Sequence, residues 1–364
     1  MRLTVTEGPI RLAIVGSAWR AEFFRRIAGL LPERFTLVGA AVRRPEVAAQ
    51  VRSDWNVPAY LSPADLVSRQ RPELVVVAVP WAATPDVVRA LVEAGCAVLC
   101  ETPPAPDLDG LRALWRDVGA TRRVQVAEQY PLTPGHAARK ALIDRGLIGT
   151  PTSVHVSSTH GYHAVSIMRG FLGVPPAAAT VTGRRFTAPL VDPLVRDAWT
   201  DDDNPKPAVT TLATIDFGDG RSGLYDFTNN QWHNQLRHRR IVIRGSHGEI
   251  ADDNVVRLAA ERTILRSALV RSQLGYELNL DGYDTEHLSF EGAVVWRNPF
   301  LGLRLMDEEI AIASLMTATA AWARDEGPEP YPLGEACQDR LLALAIEQAC
   351  DAGAPIHTDL EPWA

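Results

Sequence analysis

Residues Ile10–Ala21, with the sequence IRLAIVGSAWRA, give the strongest indication of the fold of this chain. Its first part, Ile10–Gly16, is mostly apolar and is predicted to form a buried strand. Helical spacing then runs from Ala18 to Leu31, and Pro32 ends the pattern. A strand, a glycine turn and a helix in this order form the first unit of a layered α/β sheet.

The same alternation of strands and helices continues through the first third of the chain. Further strands are predicted at Phe35–Val42, Leu74–Val79, Ala97–Cys100 and Val124–Glu128. The continuous apolar run Leu74–Val79 is typical of a parallel strand that is covered on both faces. We therefore predict an α/β, doubly wound parallel sheet in a dinucleotide-binding Rossmann domain over residues 1–127.

A different pattern follows and predicts a second domain over residues 128–364. A hairpin turn, Gly218–Gly220, joins two predicted strands, which indicates antiparallel pairing. We expect an α+β domain with a large open, mainly antiparallel sheet that carries helices on one face. A homodimer or homotetramer formed through this C-terminal sheet would cover the other face. The predicted elements are strands 151–159, 209–217, 221–227 and 239–244, and helices 134–146, 163–172, 311–323 and 335–352.

Composition excludes several classes of partner. Of the 364 residues, 46% are hydrophobic, 22% are charged and the net charge is -7, so we expect no nucleic-acid and no membrane-surface partner. The four cysteines form no CxxC pair, which is typical of free thiols in a reducing compartment. Residues 1–9 lack the pattern of a signal peptide, and no apolar run reaches the roughly 18 residues of a membrane span. We therefore predict a cytoplasmic protein.

The turn after the first strand is the predicted cofactor site. A dinucleotide fold brings backbone close to a pyrophosphate at a helix N-terminus. Here the turn matches G-x-A-x-x-A, a weakened form of the glycine fingerprint, and its position between strand and helix supports it. A Rossmann-like sheet that binds no nucleotide stays open as an alternative. The predicted contacts in this turn are Gly16, Ser17, Ala18, Trp19 and Arg20.

The second strand ends in Val42-Arg43-Arg44, without the acid that commonly holds the adenosine ribose. An arginine at this place can clamp a 2′-phosphate through its planar guanidinium. We therefore predict NADP(H) in preference to NAD(H), with Arg43 and Arg44 as the selecting residues. The alternative is that both arginines only solvate the start of a helix.

Two further strand ends complete the predicted cofactor contacts. Val79-Pro80-Trp81 closes the valine-rich strand, and Trp81 either flanks the nicotinamide or packs between the domains. Cys100-Glu101-Thr102-Pro103-Pro104 follows another predicted strand, at the edge where open α/β sheets bind ligands. Pro80, Trp81, Glu101 and Thr102 are therefore added to the predicted set.

The chain resembles the glucose–fructose oxidoreductase, inositol dehydrogenase and rhizopine catabolism (Gfo/Idh/MocA) family. The order and spacing of the matching segments carry this resemblance, and they are Leu12–Gly16, Val75–Pro80, Ala90–Gly95, Glu101-x-Pro103, Gly146–Gly149, Gly161-x-His163 and Ile243–Ile250. The resemblance implies a Rossmann domain, a second domain with an open sheet, and dimers or tetramers. It also implies reversible oxidation of a hydroxyl on a sugar, cyclitol or related small molecule.

Three positions depart from the pattern of this family. Thr102 replaces the catalytic lysine of a Glu-Lys-Pro motif, and Thr159 replaces an acid four residues before the family's histidine. Ser166 stands at a usually polar position three residues after that histidine, His163. Only His163 therefore remains of the lysine, acid and histidine that the resemblance implies.

His163 is the predicted general acid/base, because the pKa of histidine lies near neutrality. Thr102 can donate a hydrogen bond to a substrate oxygen but carries no charge. Lys140 and Lys206, the only lysines of the sequence, lie in sequence contexts typical of a surface. Further predicted substrate contacts are His160, Tyr162, Glu128 and Tyr130, each with a purely structural hydrogen bond as the alternative.

Two polar segments allow a functional and a plain interpretation. The amide-rich segment Asn229–Gln235 suits recognition of a neutral polyol but is also compatible with an ordinary loop. His160 and His163 lack a third ligand and Asp201–Asp203 is typical of a solvated loop, so no metal site is predicted.

Three functions remain open from the sequence. The leading one is an NAD(P)-dependent oxidoreductase that transfers a hydride to or from a sugar-like or cyclitol substrate, with His163 as the proton shuttle. A second is an enzyme with tightly bound nicotinamide and no net redox change, such as a lyase, epimerase or glycosidase. A third is a non-catalytic dinucleotide or metabolite sensor, which the loss of the lysine would fit.

Overall fold

The computed structural model describes residues 8–195 and 198–364, which form two compact units. The first unit comprises the chain up to Leu132, together with Leu305–Cys337 and Trp363. The second comprises Thr133–Arg304, Gln338–Pro362 and Ala364. The prediction for the leader region falls largely on residues 1–7, which lie outside the described residues.

The first unit is built on a parallel sheet of the order β3-β2-β1-β4-β5-β6. Its central strands are buried on both faces, as the continuous apolar run predicts. The strand order reverses between β1 and β4, and open sheets of this kind bind ligands at that point. The strands are β1 (Ile10–Val15), β2 (Phe35–Ala41), β3 (Ala59–Tyr60), β4 (Leu74–Val77), β5 (Ala97–Cys100) and β6 (Val124–Val126).

Helices connect these strands, and local sequence sets where several of them begin. Ser62 accepts a hydrogen bond from the Asp65 N–H at 3.1 Å, and Asp107 accepts one from the Gly110 N–H at 2.8 Å. Each bond satisfies a backbone donor at a helix start. The helices are α1 (Trp19–Leu30), α2 (Pro45–Trp55), α3 (Pro63–Gln70), α4 (Thr84–Glu93) and α5 (Leu108–Val118).

A helix from late in the chain, α8 (Asp307–Ala323), also belongs to the first unit. Arg26 of α1 pairs with the nearly buried Glu309, and Arg34 donates to the Thr317 hydroxyl at 3.2 Å. Polar contacts from α1 and from the segment that follows it therefore attach α8 to the first unit. The boundary predicted after residue 127 stays a prediction, because these compact units are defined by packing alone.

The second unit contains an eleven-stranded sheet, in the order β16-β15-β14-β13-β12-β11-β7-β10-β9-β8-β17. Its described pairings are antiparallel except for β7 and β10, which run parallel, so the predicted α+β class is confirmed. The strands are β7 (Pro151–Ser157), β8 (Thr180–Leu190), β9 (Lys206–Asp216), β10 (Ser222–Thr228), β11 (Arg240–Gly245), β12 (Gly248–Ala251), β13 (Asn254–Ala260), β14 (Thr263–Leu274), β15 (Asp284–Phe290), β16 (Ala293–Arg297) and β17 (Ile356–His357).

Helices cover one face of the second sheet. They are α6 (Pro134–Asp144), α7 (Gly161–Leu172) and the second-unit part of α9 (Leu333–Ala352). A Cβ on Gly223 of β10 would lie 2.6 Å from Met168 of α7, and one on Gly183 of β8 would lie 2.7 Å from Cys350 of α9. These glycines therefore let the helices approach the sheet closely.

The opposite face of the second sheet, here called the outer face, leaves apolar side chains exposed. Leu224 follows Gly223 in β10 and points the other way, and its side chain is exposed. Other exposed apolar residues of this face are Phe186, Leu212, Ile264 and Val270. No helix in the described part of the chain is long and apolar enough to cross a bilayer.

Candidate functional site

The turn between β1 and α1 has a conformation that only glycine adopts readily. Gly16 has φ +117°, and a Cβ built on it would lie 2.1 Å from the Ala78 carbonyl oxygen after β4. The Gly16 N–H donates to the Ala41 carbonyl oxygen of β2 at 2.9 Å. The turn is thus packed directly against the two strand ends that flank it.

A cavity of about 730 Å³ opens beside this turn, within the size range of small-molecule sites. It lies at the carboxyl ends of β1, β2 and β4, where the strand order reverses. The cavity brings together part of the predicted cofactor set, namely Gly16, Ser17, Ala18, Arg43, Arg44 and Pro80. Trp19, Arg20, Trp81, Glu101 and Thr102 are outside the lining of this cavity.

The two arginines after β2 supply the charge of this cavity. Both are exposed, and Arg44 lies 3.5 Å from Glu46 in an ion pair that solvent surrounds. Such pairs contribute little energy, so both guanidinium groups remain available to an anion. Among the described residues that line the cavity, none is acidic.

Arg20, a predicted cofactor contact, forms ion pairs with two carboxylates. Its Nε donates to Glu101 Oε1 at 2.7 Å, and its Nη1 donates to Glu308 Oε1 at 2.7 Å. Burial alone would lower the pKa of this guanidinium, but the charges of Glu101 and Glu308 outweigh burial and raise it. The structure therefore pairs Arg20 with two carboxylates at the ends of β5 and α8.

Glu101 also orients the residue that stands in place of the family's lysine. Its Oε2 accepts a hydrogen bond from the Thr102 N–H at 3.2 Å, and the Thr102–Pro103 peptide bond is cis. Cys100 is buried, and burial together with the charge of Glu101 raises the pKa of its thiol. The thiol is therefore a poor nucleophile at neutral pH.

The other predicted residues of the first unit lie around the same sheet edge. Trp19 and Trp81 are each more than half exposed, and the Trp19 ring meets Phe23 edge-on at 5.6 Å. Glu128 is buried, and its Oε1 accepts a hydrogen bond from the Tyr130 N–H at 3.2 Å. Glu128 therefore has at least one structural hydrogen bond, as its alternative interpretation expects.

In the second unit, His163 is at the centre of an aromatic group. The ring of His160 lies 5.0 Å from that of His163, and the ring of Tyr162 lies 5.3 Å from it. His163 and Tyr162 are buried, whereas His160 is exposed. The structure thus brings together three of the predicted catalytic residues at the start of α7, which begins at Gly161 rather than at the predicted residue 163.

Tyr225 of β10, the strand that pairs with β7, contacts the start of α7 beside this group. Its hydroxyl accepts a hydrogen bond from the Gly161 N–H at 3.0 Å, which satisfies a backbone donor at the start of α7. Burial raises the pKa of Tyr225 to about 12, so the phenol stays protonated at neutral pH. The sequence analysis missed Tyr225, because its contact with Gly161 depends on the parallel pairing of β7 and β10.

The two departures that flank His163 have different environments. Thr159 is buried, and its hydroxyl has no hydrogen-bond partner among the described residues. Ser166 donates to the His163 carbonyl oxygen at 2.9 Å, a bond within the helix. Neither side chain supplies the carboxylate that would orient the His163 ring.

The amide-rich segment is largely structural. The Gln231 side chain donates to the carbonyl oxygens of Ser157 and His238, each at 2.8 Å, and Asn234 donates to the Val191 carbonyl oxygen at 2.8 Å. Both amides are buried. The plain interpretation as a polar loop therefore holds for Gln231 and Asn234.

Both lysines of the chain, Lys140 and Lys206, form ion pairs with nearby aspartates. Lys140 pairs with Asp144 at 2.5 Å within α6, and Lys206 pairs with Asp202 at 2.9 Å. Across residues 8–195 and 198–364, no three His, Cys, Asp or Glu side chains form a cluster that could hold a metal ion.

Residues 10–129 match the sequence model of the Gfo/Idh/MocA family, described as an oxidoreductase family with an NAD-binding Rossmann fold. Inositol 2-dehydrogenase 1 of Saccharopolyspora erythraea is 31% identical over 150 residues, which are 40% of this chain and 44% of that protein. An inositol 2-dehydrogenase of Pseudomonas fluorescens SBW25 is 34% identical over 114 residues, 30% of this chain and 34% of that protein. The matched region thus spans less than half the length of these two relatives.

Solved structures show the same fold along nearly the whole chain. A myo-inositol dehydrogenase from Corynebacterium glutamicum superposes with a TM-score of 0.66 at 17% identity, covering 96% of this chain and 99% of its own. An oxidoreductase from Agrobacterium radiobacter, solved with NAD+, L-tartaric acid and magnesium, gives a TM-score of 0.69 at 15% identity, covering 96% and 98%. At these identities the likeness concerns the fold.

Proposed function

Because residues 10–129 match the sequence model of the Gfo/Idh/MocA family of NAD-binding oxidoreductases, we propose that the chain is a member of this family and that it oxidises or reduces a small hydroxylated molecule. The substrate class is a sugar-like or cyclitol polyol, as in the inositol 2-dehydrogenases that it resembles. The cavity beside Gly16 is the observation that carries this proposal.

The residues present around the cavity fit a nicotinamide dinucleotide. The close approach of Gly16 to Ala78 leaves room for backbone N–H groups at the start of α1 to face a pyrophosphate. Arg43 and Arg44 at the end of β2 supply cations where a 2′-phosphate would lie, so NADP(H) is the preferred cofactor. When bound, the cofactor accepts a hydride from the carbinol carbon or returns one to a carbonyl carbon.

His163 is the group that moves the hydroxyl proton in this proposal. Oxidation of a carbinol releases a proton from the hydroxyl as the carbon–hydrogen bond breaks, and a neutral imidazole can take up that proton. Tyr162 and His160 contact the His163 ring and restrict its orientation. Thr102 donates a hydrogen bond to a substrate oxygen without adding charge.

Two broader expectations accompany this activity. The exposed apolar residues of the outer face support a homodimer or homotetramer that forms through the second sheet. A cytoplasmic location remains the expectation from the sequence.

The proposal is tested by the His163→Asn variant once a polyol screen has identified a substrate. Asparagine keeps a polar side chain but cannot exchange a proton near neutral pH. We expect kcat to fall by about 100-fold to 10,000-fold, with little change in nucleotide affinity. Steady-state rates followed by nicotinamide absorbance measure this, and full turnover in the variant would remove His163 from the reaction.

A further inference from the structure

A single guanidinium lies between two carboxylates at the carboxyl edge of the first sheet. Arg20 donates to Glu101 and to Glu308, each at 2.7 Å, and Gln129 donates to the same oxygen of Glu308 at 3.1 Å. These four residues are called the Arg20 cluster below. One positive and two negative charges leave the cluster with a net charge of one negative unit.

Glu308 is held in the cluster through only one of its oxygens. Its Oε1 accepts both hydrogen bonds, and its side chain is 39% exposed, compared with 14% for Arg20 and 13% for Glu101. Gln129 is buried, and its Oε1 has no hydrogen-bond partner among the described residues. Within the described part of the chain, the second carboxylate oxygen of Glu308 and the amide oxygen of Gln129 therefore accept no hydrogen bond, and the negative charge of Glu308 stays partly exposed.

The order of strands in the first sheet shows which half of a bound dinucleotide lies near the negative charge of the Arg20 cluster. Strands β2 and β5 lie on opposite sides of the switch point between β1 and β4. In this fold the end of β2 serves the adenosine ribose, so the nicotinamide half extends towards β4 and β5. Glu101 follows β5 directly, which places the Arg20 cluster on the nicotinamide side.

The two redox states of the cofactor differ in charge at this end alone. The nicotinamide ring carries a positive charge when oxidised and none when reduced, while the phosphates are the same in both. We infer that the Arg20 cluster, through the open carboxylate of Glu308, makes this chain favour the oxidised cofactor over the reduced one. Thr102 strengthens the effect, because it supplies no cation to oppose the carboxylates. This inference rests on the proposed cofactor site.

The test is the ratio of two dissociation constants, Kd for NADPH divided by Kd for NADP+. We expect Glu308→Gln to lower this ratio by about threefold to tenfold, because the variant removes one charge at nearly constant shape. Glu308→Asp keeps the charge and should stay within about twofold of the wild-type ratio. Glu93→Gln, an equal charge change at the exposed end of α4, should leave the ratio unchanged.

Calorimetry on nucleotide-stripped protein gives both constants without any substrate. If the effect is electrostatic, added salt must also reduce the difference between the Kd ratio of the wild type and that of Glu308→Gln. If both nucleotides bind and the ratio is the same in Glu308→Gln as in wild type, the inference is overturned while the cofactor site stands. If neither nucleotide binds to the wild type, the cofactor site and the inference are both overturned.

Discussion

Gly16 carries the strictest steric requirement in the candidate cofactor site. Its positive φ and the 2.1 Å approach of a built Cβ to the Ala78 oxygen exclude any side chain without backbone movement. We predict that Gly16→Ala lowers the free energy of unfolding by about 2–4 kcal/mol and abolishes nucleotide binding. Urea unfolding and calorimetric titration of the same sample measure the two effects.

Gly95 provides the matched control for this substitution. It also has a positive φ, +82°, but a Cβ built there would meet nothing within 4 Å. Gly95→Ala should therefore cost only about 1 kcal/mol and leave nucleotide binding intact. Equal effects of the two substitutions would show that backbone conformation, and not the close approach at Gly16, determines the loss.

His136 makes the stability of the second unit depend on pH. Its ring is buried in α6, and burial together with the charge of Arg139 lowers the pKa from 6.5 to about 3. Below pH 6.5 the unfolded chain therefore binds a proton at His136, whereas the folded chain does not bind it until the pH approaches 3. The contribution of His136 to the free energy of unfolding is thus fully present above pH 6.5 and declines as the pH falls. Between pH 7.5 and 5 we predict a loss of about 2 kcal/mol from this group.

His136→Gln tests this dependence. Glutamine does not titrate, so the variant should lose about 2 kcal/mol less than the wild type over the same pH interval. Urea unfolding at both pH values gives the difference. The same loss in both proteins would assign the pH dependence to other groups.

The ion pair between Arg20 and Glu308 could not be predicted from the sequence. The glycine turn predicts Arg20 near a phosphate, because position in the motif is the available signal. Its two carboxylate partners come from the end of β5 and from α8, 288 residues further along the chain. No local pattern encodes a pair of that separation, so the Arg20 cluster is visible only in the folded chain.

Helices α7 and α9 are joined by an ion pair that water does not reach. Arg169 Nη1 lies 2.7 Å from Asp339 Oδ1, and both side chains are fully buried. We predict that Asp339→Asn destabilises the protein by about 3–5 kcal/mol, because it removes a carboxylate charge that lies against the buried Arg169 guanidinium. Thermal and urea unfolding measure the change.

An exposed pair on the same helix serves as the control. Asp351 of α9 pairs with Arg185 of β8, and both side chains face solvent. Asp351→Asn should cost less than about 1 kcal/mol, because solvent screens the lost attraction. A similar cost for the two substitutions would mean that burial does not set the strength of the α7–α9 pair.

The elements of the first sheet could be predicted well, and those of the second less completely. Continuous apolar runs such as Leu74–Val77 indicate buried parallel strands, and the structure confirms them. The strands from Asn254 to Arg297 carry many exposed side chains, so they lack a buried pattern and were not predicted. The attachment of α8 to α1 also escaped prediction, because it depends on contacts such as Arg26–Glu309.

At the scale of the whole chain, chemistry-bearing residues are present in both compact units. The first unit holds the cavity beside Gly16 and the Arg20 cluster, while the second holds His163 with its aromatic neighbours. The match of residues 10–129 to the model of an NAD-binding oxidoreductase family agrees with the parallel sheet of the first unit, and a solved myo-inositol dehydrogenase shares the fold of nearly the whole chain. Thr102 and Thr159 distinguish this chain from the pattern that the family resemblance implies, and we propose for this reason that His163 carries out the proton transfer.

We propose that the cavity beside Gly16 binds a nicotinamide dinucleotide and selects NADP(H) through Arg43 and Arg44. Calorimetric titration of nucleotide-stripped protein with NADPH and with NADH tests this most directly. We predict tighter binding of NADPH, and an Arg43→Ala/Arg44→Ala variant that loses about 10-fold to 100-fold in NADPH affinity while NADH affinity changes less than about threefold. Tighter binding of NADH would contradict the selection, and binding of neither nucleotide would contradict the cofactor site itself.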